Sequence, residues 1–242
     1  MKWHLFDLDL NLGSSDVHFS GIFREKNSKT ILKKLQPPPK GSCEENFYKT
    51  ITIDLSLKLL KSLCPKFHSV THTDQNETFL KLEDLTKPFK NPCIIDIKIG
   101  RVTWDPNASK EKRIREESKY PPLKNLGFQL LGCRVGHSSG TNLKTIKLDK
   151  TWGRSLYEEN ISDGLKLFLS GAGSSQRLEL IKGQILTKLY AIQDLFLSQT
   201  RFRFYASSIL ILYDGISPEE IGSQVKALSR FKLSFKRAYF SK

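Results

Sequence analysis

The segment from Pro92 to Gly100, PCIIDIKIG, sets two charged side chains in an otherwise apolar run. Side chains alternate along a strand, so Asp96 and Lys98 belong to one face, and Ile95 and Ile97 to the other. Burying either charge without a partner would cost on the order of several kcal/mol. Two arrangements avoid that cost. One is an edge strand with a solvated face. The other is a strand lining a cleft, with Lys98 on an anion and Asp96 on hydroxyls or a metal. In the second, Gly100 lets backbone approach a ligand closely.

A second group of charges lies in KEKRIREESK, residues 110–119. On a helix Lys112, Arg115 and Lys119 share one face, which suits a multiply charged anion. Glu111, Glu116 and Glu117 interleave, the pattern of a solvated helix. Arg134, in GCRV, adds a guanidinium fork matched to phosphate oxygens. His68 and His72 have the i, i+4 spacing of a metal pair, but they follow Pro65 and no HExxH acid accompanies them, so they read as loop residues.

The whole composition points the same way. The chain has 242 residues, with 39 Lys and Arg against 25 Asp and Glu, a net charge of +14. That excess calls for a polyanionic partner: nucleic acid, an anionic membrane or a phosphorylated small molecule. No apolar run approaches the ~18 residues of a membrane helix, so no integral membrane association is expected. Asp7 and Asp9 interrupt the apolar N-terminal stretch, which argues against a signal peptide. Cys43, Cys64, Cys93 and Cys133 form no CxxC pair and read as reduced, intracellular thiols.

These residues need elements to position them. Residues 21–35 read as a hairpin turning at Lys26-Asn27-Ser28, and three prolines, 37–39, then end the ladder. Residues 44–63 look helical at their ends, with the β-branched Thr50-Ile51-Thr52-Ile53 weakening the middle. Strands are expected at 79–85, 93–99, 127–135 and 206–213. Helices are expected from about Ala108 to Tyr120, around Leu165–Leu169, and at 176–198, where Leu178, Ile181, Ile185, Leu189 and Ile192 step by three or four. The order predicts an α+β fold in two lobes, with a break at Lys87–Pro92.

P-x-x-x-D-x-K-x-G resembles the signature of the inositol polyphosphate kinases, and four further stretches agree in order. ILKKLQPPPKG (31–41) resembles the nucleotide-lysine strand and proline turn of the multikinase branch, and LKLEDLT (80–86) its hinge. SKYP (118–121) with GFQLLGCRV (127–135) resembles the core of the second lobe, and FYASSILILYDG (204–215) the family's Ser-Ser strand. The resemblance implies a two-lobed fold similar to protein kinases, with ATP between the lobes. By position, Lys33 binds the ATP phosphates and Glu44 holds Lys33. Glu83 and Leu85 offer main-chain groups to adenine. Asp96 serves the ribose hydroxyls or the transferred phosphate. Lys98 faces the inositol phosphate and its reacting hydroxyl, and Lys112, Lys119 and Arg134 converge on the substrate beside it. Ser207 and Ser208 fix a strand and are not nucleophiles. Mg²⁺ is the implied metal.

The resemblance ends near Gly215. Family members continue into a strand ending Ile-Asp-Phe, whose aspartate holds the metal, and this chain has no such triplet and no aspartate after Asp214. Residues 216–242 therefore read as a divergent basic tail. A capping box at Ser217-Pro218-Glu219-Glu220 starts a helix there. The C-terminal lobe is expected to lack a central strand. The parts are then an N-terminal lobe at 1–86, an inositol phosphate-binding lobe at 87–215, and the tail. The expected activity is ATP-dependent phosphorylation of a soluble inositol phosphate by a monomer in cytoplasm and nucleus, impaired by the missing element. The alternatives are a silent inositol phosphate-binding module, or a nucleic-acid or membrane-surface binder. The spread of the basic residues along the chain disfavours nucleic acid.

Overall fold

A computed structural model describes residues 4–5, 22–24, 28–74, 76–139, 142–215, 229–234 and 238–240. Two five-stranded antiparallel sheets organise these residues. The first takes its strands from the chain before residue 84, in the order β1 (His4–Leu5), β2 (Ile22–Arg24), β3 (Thr30–Lys34), β5 (Thr78–Glu83) and β4 (Phe67–His72). β2 and β3 form the hairpin that the sequence calls for, with Ile22 opposite Lys33. Residues 25–27 of its turn lie outside the described residues. His68 and His72 are in strand β4 and not in a loop, because Phe67 and Val70 of that segment pack on the core.

Helix α1 (Lys40–Ile53) runs unbroken through Thr50-Ile51-Thr52-Ile53, against the expectation of a weak middle. Phe47, Tyr48 and Ile51 are buried along it, and that packing outweighs the small β-branched penalty. The chain leaves the helix at Asp54, whose carboxylate accepts from the Ser56 amide at 2.9 Å. A single 3-10 turn then leads into α2 (Lys58–Leu63).

The second sheet has the order β11 (Ser229–Ser234), β10 (Ser208–Asp214), β6 (Pro92–Ile99), β7 (Phe128–Ser139) and β8 (Asn142–Leu148). Strand β8 was not expected. It forms a hairpin with β7 across the Gly/Ser/Thr stretch, and its alternating polar residues give no strong signal. Helices α3 (Lys110–Ser118) and α4 (Leu123–Leu126) connect β6 to β7. α5 (Lys150–Arg154), α6 (Ile161–Leu169) and α7 (Ser175–Ser198) follow β8. One sheet face, carrying Cys93, Ile95, Cys133, Val135, Ile209, Ile211 and Tyr213, packs on α6 and α7. The core continues into the first sheet, because Phe47 on α1 meets Phe202 and Phe204 of β9 (Phe202–Phe204) edge to face, at 5.4 and 5.9 Å.

The tail is not a separate appendage. β11 pairs with β10 over six residues, so β10 has neighbours on both sides, contrary to the expected loss of a strand. A last strand, β12 (Ala238–Phe240), pairs with β9. The expected helix after Ser217 falls outside the described residues.

Candidate functional site

The side of the second sheet away from α6 and α7 carries the chemistry. Along β6, Ile94, Asp96 and Lys98 alternate onto it. Register adds three rows of neighbours. Ile94 lies between Leu212 and Arg134, Asp96 between Leu210 and Gly132, and Lys98 between Ser208 and Gln129. A bulge between Asp96 and Ile97 keeps Gln129 on this side. The face therefore grades from apolar to polar along its length. Ile94 and Leu212 are buried with Leu85 and Phe89 of the segment joining the two sheets, and Leu210 packs against them. Asp96 follows, with one carboxylate oxygen buried and lacking a hydrogen-bond partner, and then Lys98 beside buried Ser208 and Gln129.

The joining segment is held rigid. Asp84 is buried and accepts from the Thr86 amide (3.0 Å) and hydroxyl (2.7 Å), and Arg24 of β2 lies 2.6 Å from its other oxygen. The Glu83 amide donates to the Lys66 carbonyl at 2.8 Å, so contact of Glu83 with a base would run through its carbonyl. Leu85 makes no backbone hydrogen bond among the described residues. The segment's far end is tied to β10: the Asp214 carboxylate accepts from the Asn91 amide at 2.8 Å, and Arg177 donates to the Asp214 carbonyl at 2.7 Å. Asp214 is thereby a clamp and not a metal ligand.

Lys33 of β3 forms an ion pair with Glu44 of α1, with Glu44 almost fully buried. The proline turn makes this possible by reversing the chain within one step. Gly41 must be a glycine there, because a Cβ would stand 2.0 Å from the Gln36 carbonyl oxygen. Gly100 also has a conformational reason to be glycine. Nothing lies closer than 4.0 Å to a Cβ placed there, and its φ of +96° is what excludes other residues.

Arg134 does not lie beside Lys98 as expected. Arg134 sits opposite Ile94, four residues along β6 from Lys98, roughly 13 Å at strand rise. It lies toward the joining segment and near Arg24, and burial lowers its pKa. Lys112 pairs with Asp105 (2.9 Å) and Lys119 with Glu116 (2.6 Å). Sequence reasoning missed the apolar floor of Ile94, Leu210, Leu212 and Phe89, because only strand pairing reveals that these residues share a face. It also missed the meaning of Leu233-Ser234-Phe235. Register puts Ser234 opposite Ser208, in the row of Lys98 and Gln129. The tail thus brings Ser234 to the strand beside the Ser-Ser strand, and in the sequence Ser234 is the middle residue of an apolar-X-Phe triplet.

An ion-paired lysine on one sheet, and an apolar floor with an Asp-x-Lys strand on the other, fit a two-lobed kinase-like fold. The comparisons place it. The chain matches the inositol polyphosphate kinase family over residues 79–233, more than half its length and beyond Gly215. It is 39% identical over 194 residues to human inositol polyphosphate multikinase, covering 78% of this chain and 46% of that protein. It is 34% identical over 162 residues to mouse inositol hexakisphosphate kinase 3, covering 66% and 39%. The solved structure of inositol phosphate multikinase Ipk2 from S. cerevisiae, in complex with ADP and Mn²⁺, superposes with a TM-score of 0.71 at 25% identity, covering 88% of this chain and 90% of that one. The chain belongs to the inositol polyphosphate kinase family. It spans about half the length of the curated relatives it matches.

Proposed function

We propose that the chain binds ATP and a soluble inositol polyphosphate and transfers the γ-phosphoryl group to a ring hydroxyl, slowly. The observation that carries this reading is the graded face of the second sheet. Its apolar end meets the joining segment, where a base would stack, and its polar end presents Asp96 and Lys98. Lys33, oriented by Glu44, would place its charge on the nucleotide phosphates. Asp96, with a buried oxygen lacking a partner, would accept a hydrogen bond from a ribose hydroxyl or orient the transferred group. Lys98 would bring the inositol phosphate and its hydroxyl into line, so that positioning supplies much of the rate.

A divalent ion of the Mg²⁺ type would neutralise charge on the β and γ phosphates. Among the described residues, no group of three His, Cys, Asp or Glu side chains is placed to hold a metal ion. The ion would therefore arrive on the nucleotide. The lack of an Ile-Asp-Phe triplet in the sequence supports impaired transfer, and favours as second reading a module that binds inositol phosphates without turning them over. We further propose a monomer in cytoplasm and nucleus. The test is to incubate the purified chain with Mg·ATP and an inositol trisphosphate and follow the products. Phosphorylated product supports the kinase. Binding without product supports the silent module. Binding of duplex DNA with a steep salt dependence, and neither of these, would favour a nucleic-acid binder.

A further inference from the structure

We propose that the cavity between α6, α7 and the second sheet binds one long-chain monocarboxylate, a free fatty acid. It lies on the opposite side of the sheet from Asp96 and Lys98, so the proposal stands apart from the kinase reading. Ile97, Ile209 and Ile211 of the strands form its floor, and Phe168 of α6 with Ile185 and Leu189 of α7 form its walls. Its volume is about 530 Å³, within the ~300–1,000 Å³ of small-molecule sites.

Protein interiors normally close such spaces, because side chains around a void lose contacts. Here alternation along β6 and β10 and one stripe of α7 line the space with branched side chains. Phe168, Ile209 and Ile211 are buried, whereas Leu186 is 52% exposed and the Lys182 side chain 43%, so the last two mark the mouth. Among the described residues every lining side chain but Lys182 is apolar. Water inside would find few partners, and an apolar ligand would displace it at little cost.

An apolar bed with one cation at its mouth fits a tail ending in one negative charge. Lys182 Nζ lies 2.7 Å from Glu179 Oε1, and that carboxylate is 70% exposed. Such a pair holds the ammonium only weakly, so it can turn to a carboxylate at the mouth. At ~30 Å³ for a water-sized group, 530 Å³ takes about 18 heavy atoms, the size of a sixteen-carbon fatty acid. A diacyl lipid brings two tails to this space. A peptide helix, ~10–12 Å across, would fit about one turn in it, too little to specify a sequence. A second copy of this chain would bring its own charge of +14 against the same charge.

The test is calorimetry with octanoate, decanoate and dodecanoate, below their micelle concentrations, on the whole chain. Each buried methylene multiplies affinity by about four, so each step of two carbons should tighten binding by about 15-fold. Lys182→Gln, a surface change, should weaken dodecanoate by about threefold and leave dodecanol unaltered. Ile185→Trp, which fills the cavity, should abolish binding while circular dichroism shows the fold kept. If that variant does not fold, the chain-length series and Lys182→Gln decide. No saturable binding of dodecanoate to the unaltered chain, equal affinities along the series, full affinity in folded Ile185→Trp, or equal effects of Lys182→Gln on acid and alcohol would each overturn the proposal. Capture by anionic phospholipid vesicles without dodecanoate binding would assign the apolar face to a bilayer. Dimers that folded Ile185→Trp dissociates would assign it to a second copy. Both results overturn the proposal, and neither bears on the kinase reading, which stands or falls on phosphorylated product.

Discussion

If the chain transfers phosphoryl groups as proposed, Ser234→Asp should speed that transfer. Ser234 occupies the last position of β11, opposite Ser208, and Ser208 is opposite Lys98. Strand spacing sets the backbone at position 234 about 5 Å from that of Ser208 and about 10 Å from that of Lys98 across the sheet. That is within reach of an ion bridging nucleotide phosphates between them, since Mg²⁺ takes a carboxylate oxygen at ~2.1 Å. A metal ligand that neutralises transition-state charge is worth several kcal/mol. Taking ~3–4 kcal/mol, at ~1.4 kcal/mol for each factor of ten, turnover should rise by about 10²–10³-fold. The cost to stability is small, because β11 is an edge strand among the described residues. The assay compares initial rates of the two proteins at saturating Mg·ATP and inositol trisphosphate. A parallel titration of Mn²⁺ in the presence of ADP, followed by electron paramagnetic resonance, reads metal affinity without catalysis. Equal Mn²⁺ affinity in the two proteins would refute the placement of Ser234. Equal turnover, with the unaltered chain already fast, would show that another residue supplies the carboxylate.

Four further outcomes follow from the geometry. Glu44→Gln should weaken binding of a nonhydrolysable ATP analogue by about tenfold, because Lys33 loses its ionic partner, and unaltered affinity by calorimetry would contradict the role given to Lys33. Gly41→Ala should destabilise the chain by ~2–4 kcal/mol in urea unfolding, since its Cβ would lie 2.0 Å from the Gln36 carbonyl oxygen; a shift under ~0.5 kcal/mol would mean the proline turn relaxes. Burial raises the pKa of both Cys93 and Cys133, whereas Cys43 is half-buried, so mass spectrometry near pH 8 should find iodoacetamide on Cys43 well before either. Hydrogen bonds from Ser56 and Arg201 hold the Asp54 carboxyl at about 2, below its ordinary 3.8, so the tie between the α1 terminus and Arg201 holds above that range and is lost as pH falls through about 2. Hydrogen exchange at Ser56 and Leu57 should quicken over that acid window, beyond the intrinsic rate, in the unaltered chain but not in Asp54→Asn.

Much of this molecule was legible in local sequence. Period-two alternation placed Asp96 and Lys98 on one face, and that needed nothing beyond strand geometry. The three- and four-residue steps of Leu178, Ile181, Ile185, Leu189 and Ile192 located α7, where Ile181 and Ile192 are buried and the other three pack against the core. Where local signals competed with packing, packing won. Thr50-Ile51-Thr52-Ile53 stays helical because Phe47, Tyr48 and Ile51 find a core. His68 and His72 join a strand because Phe67 and Val70 do.

What the sequence determined alone was the inventory: the charged strand, the proline turn with its glycine, the basic helix, and the absence of an Ile-Asp-Phe triplet. What only the tertiary structure decided was adjacency. Pairing of β6 with β7 carried Arg134 to the far end of the face from Lys98, since register is fixed by ladder hydrogen bonds and a bulge, and side-chain chemistry does not reveal it. Pairing of β10 with β11 set Ser234 in the row of Ser208 and Lys98, which joins the tail to the second sheet. The physical reason is common to both. A side chain's type and period follow from its own segment, but its neighbours across a sheet come from strands tens of residues away, and only the folded backbone chooses among them.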